Sequence, residues 1–282
     1  MLDPQKQKIL ATLKPILDAA GIPDPDMSRF YVGKTSIVEE SNYNGLSQAI
    51  IDRDMPAIAN VMTLDHYTKP AAGRSIIESQ EFRLAQLTYR VPEGELQTFA
   101  SEHGLTGYVD AAGNHTPFFK EAADNLFFGS FTVPPVNDHH WAGFGENGTG
   151  YRLRLEVKAG RGGQLREMRY QGPVTLQKQI DNALRDAGLP RLLVKSVSRI
   201  GAFYLPVIYD VEGEVRLLAK RFDEAPSPVI SGPQGEYWPI PIGQPNDTAE
   251  MKLTEIGVKN LDPDIVRARL AAKGIATPVV QD

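Results

Sequence analysis

Three short segments, far apart in the chain, set polar side chains among strongly apolar neighbours. They are Leu64-Asp65-His66-Tyr67-Thr68, Leu126-Phe127-Phe128-Gly129-Ser130-Phe131-Thr132, and Tyr209-Asp210-Val211-Glu212-Gly213-Glu214-Val215-Arg216-Leu217. One such segment reads as a satisfied core histidine, a buried hydroxyl or an edge carboxylate. Three together predict a cleft where strands meet, lined by imidazole, hydroxyl and carboxylate. Glu212 and Glu214 stand two apart, so on a strand they face one side, and each carboxylate disfavours ionisation of the other. The plain alternative for Glu-x-Glu-x-Arg is an exposed strand with cross-strand ion pairs.

Other suggestive motifs fail on their own chemistry. Gly33-Lys34-Thr35 lacks the glycine that a phosphate loop needs five residues earlier, where Ser28 stands, and Phe30-Tyr31-Val32 is too bulky for a phosphate cradle. Asp138-His139-His140 has no second spaced set of ligands, so it reads as a polar turn before Trp141 and no metal is expected. His103 and His115 lie in loop-like sequence and read as solvent-exposed. Ala159–Gly163 lies between two strand-like runs and reads as a hairpin turn.

The elements that must position these residues follow from apolar periodicity. Residues 3–20 predict a helix, with Asp3 as N-cap, Pro4 at its first position and Gly21 as its stop. A second helical stretch runs from about Gly45 to Met62, split by Pro56. Residues 1–60 therefore read as an N-terminal helical cap or subdomain, and 61–282 as an α+β domain carrying the cleft. Strands are predicted at Phe82–Tyr89, Leu126–Val133, Tyr151–Val157, Ala202–Tyr209 and Val215–Arg221. Helices are predicted at Ala71–Ser79, Glu93–His103 and Val174–Ala187. The proline-rich stretch Pro226–Pro245 reads as extended loop with one strand, Tyr237–Ile242, before a final helix pair at Ala249–Asn260 and Pro263–Lys273. Strands with interspersed helices, lacking regular βαβ alternation, predict α+β with a mixed or antiparallel strand core.

Composition bounds the function. The 282 residues are 41% hydrophobic and 23% charged, enough apolar material for a real core. There is no cysteine, which excludes disulfides, thiolate metal sites and a thiol nucleophile. Thirty basic against 35 acidic residues give a net charge of −5, a poor footprint for nucleic acid. No apolar run approaches the ~18 residues of a membrane span, and Met1–Lys6 begins no signal-peptide core. A cytoplasmic protein is expected, or one secreted without a cleaved signal peptide.

From about residue 61 onward the chain resembles the bacterial domain of unknown function 2971 family. The matching features are His66-Tyr67-Thr68 with Phe82-Arg83-Leu84, Phe128–Thr132, Trp141-Ala142-Gly143-Phe144-Gly145, Gly150–Leu153, Lys195, Glu212–Arg216 and Ile240–Pro245. Val91-Pro92-Glu93-Gly94-Glu95 replaces the Asn-Asp-Pro usual there. The ordered triplet also resembles the mono-ADP-ribosyltransferase pattern, with His66/Thr68, Ser130/Thr132 and Glu212/Glu214 in its three slots.

That resemblance implies a split sheet and NAD as substrate, with no metal. Glu214 would stabilise charge on the ribose, Glu212 would orient or deprotonate an acceptor, and Ser130 and Thr132 would hold Glu214. His66 and Thr68 would bind adenosine ribose or diphosphate, and Tyr67 or Phe131 would stack on nicotinamide. The implied activity is an NAD-consuming ADP-ribosyltransferase or NAD glycohydrolase acting as a bacterial toxin, effector or phage-defence protein, with a protein as acceptor. The competing expectation is a non-catalytic nucleotide-binding or protein-interaction module of the same fold. A metal-dependent hydrolase built on His139 and His140 ranks last.

Overall fold

A computed structural model describes residues 3–222, 228–232 and 235–282. Parts of the proline-rich stretch, residues 226–227 and 233–234, lie outside the described residues, as do Met1 and Leu2. Helix α1 (Pro4–Ala20) is capped by the Asp3 carboxylate, which accepts from the Gln5 N–H, and ends at Gly21 with φ +72°. Strands β1 (Phe30–Val32) and β2 (Ser36–Glu39) form a hairpin, and Gly33-Lys34-Thr35 is its turn, closed by the Gly33 N–H on the Ser36 carbonyl (2.8 Å). Helix α2 (Gly45–Asp54) follows.

The rest of the chain runs β3 (Met62–Thr68), α3 (Pro70–Ser79), β4 (Glu81–Gln86), α4 (Gln97–Glu102), α5 (Pro117–Asp124), β5 (Leu126–Thr132) and α6 (Asp138–Gly143). Next come β6 (Tyr151–Ala159), β7 (Gly163–Glu167), β8 (Arg169–Tyr170), α7 (Leu176–Asp186), β9 (Arg191–Leu193), α8 (Val197–Gly201) and β10 (Tyr204–Leu205). Then β11 (Glu214–Lys220), β12 (Ile230–Gly232), β13 (Gly235–Pro241), β14 (Ala249–Val258), α9 (Pro263–Ala271) and β15 (Val279–Gln281) complete it. Two 3-10 helices, Leu87–Glu93 and Val207–Glu212, flank the site.

The α+β class holds, with antiparallel and parallel pairs in one molecule. A ten-stranded sheet runs β12-β13-β4-β5-β3-β6-β14-β15, with β11 and then β7 branching from β5. Strand β11 covers one edge of β5 along its whole length, from Glu214↔Thr132 to Lys220↔Leu126. The other edge is shared. Strand β4 pairs with β5 at Phe128 and Phe127, while β3 pairs with it at Thr132. Between those contacts, at Gly129–Phe131, the edge of β5 is open, and β3 and β4 diverge from it.

Two cores lie against this sheet. One packs Leu64, Phe82, Leu153, Leu217 and Trp238 with Ile76 and Ile77 of α3 and Val266 and Leu270 of α9. Across this core the Trp238 indole N–H donates to Thr248 Oγ1 (3.0 Å) just ahead of β14. The second core joins Ile9, Leu13 and Leu17 of α1 and Ile50 of α2 to Phe99, Ile180, Phe203 and Leu218. Residues 4–55 thus share their interior with residues 87–205, and they carry two strands besides their helices.

Several local expectations are corrected. Of the helix expected over 249–260, Ala249–Val258 is a strand, because β14 alternates buried Ala249, Met251 and Leu253 with exposed Glu250 and Lys252. A bulge between Leu253 and Glu255 then shifts the alternation. Only Tyr204–Leu205 of the expected 202–209 strand pairs, since Pro206 starts the 3-10 turn that follows. Ala159–Gly163 is not a hairpin turn: β6 pairs with β3 and β14, β7 with β11, and the turn docks on Asp247 and Thr248 instead. No second helix follows Pro56.

Candidate functional site

The open edge of β5 makes a cleft of about 230 Å³. Strict strand alternation would put Phe128, Ser130 and Thr132 on one face and Gly129 and Phe131 on the other. All five line the cleft, which lies at the unpaired edge of β5. Gly129 keeps the floor thin, since a Cβ there would lie 2.7 Å from the Phe82 ring.

His66 enters from β3. Its Nδ1 lies 2.8 Å from the Ser130 carbonyl oxygen, the acceptor that the missing strand contact leaves free. A carbonyl only accepts, so Nδ1 carries the proton and Nε2 keeps its lone pair. The ring meets Phe82 edge-on at 4.8 Å and Phe131 at 5.9 Å. Burial among these rings holds its pKa below the usual histidine value, against the pull of the Ser130 carbonyl, so His66 is neutral at pH 7.

Glu214 opens β11, and its carboxylate is 4% exposed. The Ser130 hydroxyl donates to Glu214 Oε1 at 2.5 Å. Arg216, fully buried and on the same face, donates from Nε to Oε1 (2.9 Å) and from Nη2 to Oε2 (3.1 Å). The backbone N–H of Glu214 donates to the Tyr170 hydroxyl (3.0 Å). His66, Ser130 and Glu214 therefore meet in one cleft, with Ser130 touching both through different atoms.

Compared with known proteins, the chain matches no family model, no curated sequence and no solved structure. The functional reading therefore rests on geometry.

The remaining expected site residues divide. Tyr67, Phe131, Thr132 and Glu212 line the cleft; Thr68 does not. Thr68 lies past the gap, paired in register with Tyr151 and packed toward α3 near Gly73. Thr132 stands opposite Glu214 in register, while the bond to the carboxylate comes from Ser130. Glu212 does not share a strand face with Glu214. It ends the 3-10 helix, and Gly213 at φ +51° turns the chain before β11 begins, which breaks the period of two. Phe131 is 3% exposed and stacks on Phe82 at 5.2 Å. Tyr67 stacks against His140 at 5.3 Å and meets Trp141 edge-on at 5.2 Å, so it braces the cleft wall.

The sequence reads His140 as part of a polar turn before Trp141, whereas the structure places it in the cleft wall. Helix α6, capped by the Asn137 side chain, turns it inward while His139 stays exposed. His140 Nε2 donates to the Glu212 carbonyl (2.9 Å), tying α6 to the turn before β11. Within α6 adjacent histidines stand about 100° apart, so one turns inward and the other stays out. Arg90, from the 3-10 helix after β4, also reaches the cleft. Among the described residues no group of three His, Asp or Glu is placed to hold a metal ion, and no helix is long and apolar enough to cross a membrane.

His103 is buried rather than exposed. Its Nδ1 donates to the Phe99 carbonyl (2.9 Å), its Nε2 accepts from Thr175 Oγ1 (2.6 Å), and it stacks on Phe99 at 4.0 Å. His115 is exposed and stacks on Phe119. Burial lowers the pKa of His103 as it does that of His66. The unfolded chain, titrating near ~6.5, takes these protons more readily. The stability contributed by the neutral rings is complete above about pH 6.5 and is lost as pH falls toward the folded-state values. The urea midpoint is expected to drop between pH 7 and pH 5, with a smaller drop in His103→Gln; equal drops in both would contradict this assignment.

Proposed function

We propose that the chain is an NAD-consuming ADP-ribosyltransferase or NAD glycohydrolase, and that residues 61–282 are a relative of the domain of unknown function 2971 family. One observation carries the reading: Ser130 holds Glu214 at a gap in the sheet where His66 also points. In this reaction the bond between nicotinamide and ribose breaks, its electron pair leaves with nicotinamide, and positive charge develops on the ribose. A buried carboxylate beside the ribose hydroxyls stabilises that charge more than water does. Glu214 takes this role, and Ser130 fixes which oxygen faces the ribose. His66 Nε2, an acceptor, receives a ribose hydroxyl. Glu212, at the rim, takes the proton of the attacking water or acceptor. Exposed Val207, Ile208 and Val211 flank Glu212 and give a protein acceptor an apolar surface to rest on. The role as toxin, effector or phage-defence protein belongs to the same proposal.

A second reading has its own support. Arg216 grips both oxygens of Glu214, as a purely structural ion pair would. That favours a nucleotide-binding or protein-interaction module without turnover.

Binding and turnover separate by experiment. NAD at ~100 times its dissociation constant stabilises the folded chain by about 2.7 kcal/mol, a clear rise in melting temperature. The rise is expected to shrink in His66→Ala and persist in His139→Ala. Nicotinamide release over hours marks the enzyme; a melting rise without release marks the binding module. No rise at millimolar NAD removes the enzyme and the nucleotide-binding module and leaves the protein-interaction module.

A further inference from the structure

Arg216 has five N–H groups, and all five are spent. Nε and one Nη2 bond reach Glu214; the Nη1 and Nη2 groups reach Glu95 at 2.7 and 2.8 Å; the last N–H reaches the Ala202 carbonyl at 2.6 Å. Glu95 and Arg216 are both 0% exposed. Glu95 comes from the short link between the Leu87–Glu93 3-10 helix and α4, 121 residues before Arg216. Nothing in local structure requires a carboxylate there, and an ionised one in a dry interior is costly unless it is paired.

The arrangement matters to Glu214. A lone guanidinium gripping both oxygens would cancel its charge, and a cancelled carboxylate cannot stabilise a cationic ribose. A second carboxylate on the adjoining edge of the same guanidinium leaves Glu95, Arg216 and Glu214 with a net charge of −1. Arg90 is held more loosely, with Nε 3.8 Å from Glu95, and it lines the same cleft as Glu214. Resting on the transferase reading above, we propose that Glu95 is a positioning residue of this site: by sharing Arg216 it keeps Glu214 electrically negative toward the cleft.

The charged groups facing Glu95 are Arg216 and Glu214 from β11 and Arg90 from the 3-10 helix. Burial pushes the Glu95 carboxyl above the usual carboxylate range, against the pull of Arg216. Glu95 therefore takes up a proton on acidification before an ordinary glutamate would. Activity should be full above that pKa and fall as pH drops through it.

The test measures nicotinamide release from NAD by the full chain between pH 5 and pH 8. Glu95→Gln is expected to lower kcat about tenfold with KM within about twofold, and to abolish the acid limb. Glu95→Asp, which keeps the charge, should retain kcat within about threefold. Because Glu95→Gln removes one of the two carboxylates holding Arg216 and so also weakens the buried pairing, the double variant Glu95→Gln/Arg216→Met supplies a second measure. With the guanidinium that cancels Glu214 gone, it should run several-fold faster than Glu95→Gln alone. A merely structural Glu95 predicts the reverse, since two buried losses add. Glu95→Gln with wild-type kcat and pH profile, or a double variant no faster than the single, overturns the inference while the transferase reading stands. No release by the wild type overturns both.

Discussion

Glu214→Gln should reduce NAD turnover by at least about 100-fold while the fold survives. The substitution keeps size and shape, and Arg216 retains its paired bonds to Glu95. What is lost is the negative charge at the gap between β3 and β4. Removing one well-placed electrostatic group from a water-poor site costs about 2.7–4 kcal/mol of transition-state stabilisation, and each 1.36 kcal/mol is about tenfold in rate. NAD binding should change little, because His66 and the aromatic wall remain. Glu212→Gln should slow transfer to an acceptor more than bare hydrolysis. A Glu214→Gln chain within about threefold of wild type would sink the catalytic role while sparing the binding module.

The second large effect lies beside the cleft and concerns stability. Arg152 on β6 is 1% exposed and holds three carboxylates: Asp282 at 2.5 and 2.7 Å, Glu255 at 2.7 Å and Asp65 at 3.1 Å. Asp65 belongs to β3, next to His66, and Arg154 grips it as well at 2.9 and 3.0 Å. This network anchors β3 to β6 at the point where β3 leaves β5. Arg152→Met strips Asp282 of its fork and leaves a buried negative excess. Breaking a buried pair from one side costs about 3–5 kcal/mol, a fall in melting temperature on the order of 10 °C. Arg152→Lys should recover little, because an ammonium cannot form the fork. A loss below about 1 kcal/mol, the scale of an exposed pair, would mean that the network contributes little.

Much of this was legible in the residues. The strands carrying His66 and Ser130 form where their apolar runs lie, whereas in the third run only the part from Glu214 is strand and Tyr209–Glu212 is 3-10 helix. The α1 boundaries follow directly from Asp3, Pro4 and Gly21. What stayed hidden has physical causes. In β14 the bulge after Leu253 breaks the alternation, so the period of two that runs through Met251 and Leu253 does not continue to Ile256 and Val258. His140 depends on α6, a six-residue helix too short to show a period. Glu95 carries no local signature, because its partner Arg216 is distant in sequence and only the fold joins them. Glu212 and Glu214 look equivalent on paper, and one glycine in a left-handed conformation separates their roles. The gap in the sheet is likewise invisible, since it arises from how β3 and β4 divide one edge of β5.

The most direct test of the central claim is a crystal structure of the full chain with NAD or a hydrolysis-resistant analogue. The account predicts the ligand's nicotinamide-bearing ribose between β3 and β4, within hydrogen-bond distance of the Glu214 carboxylate and His66 Nε2. A nucleotide bound elsewhere on the molecule, with the cleft at Gly129–Phe131 empty, would contradict it.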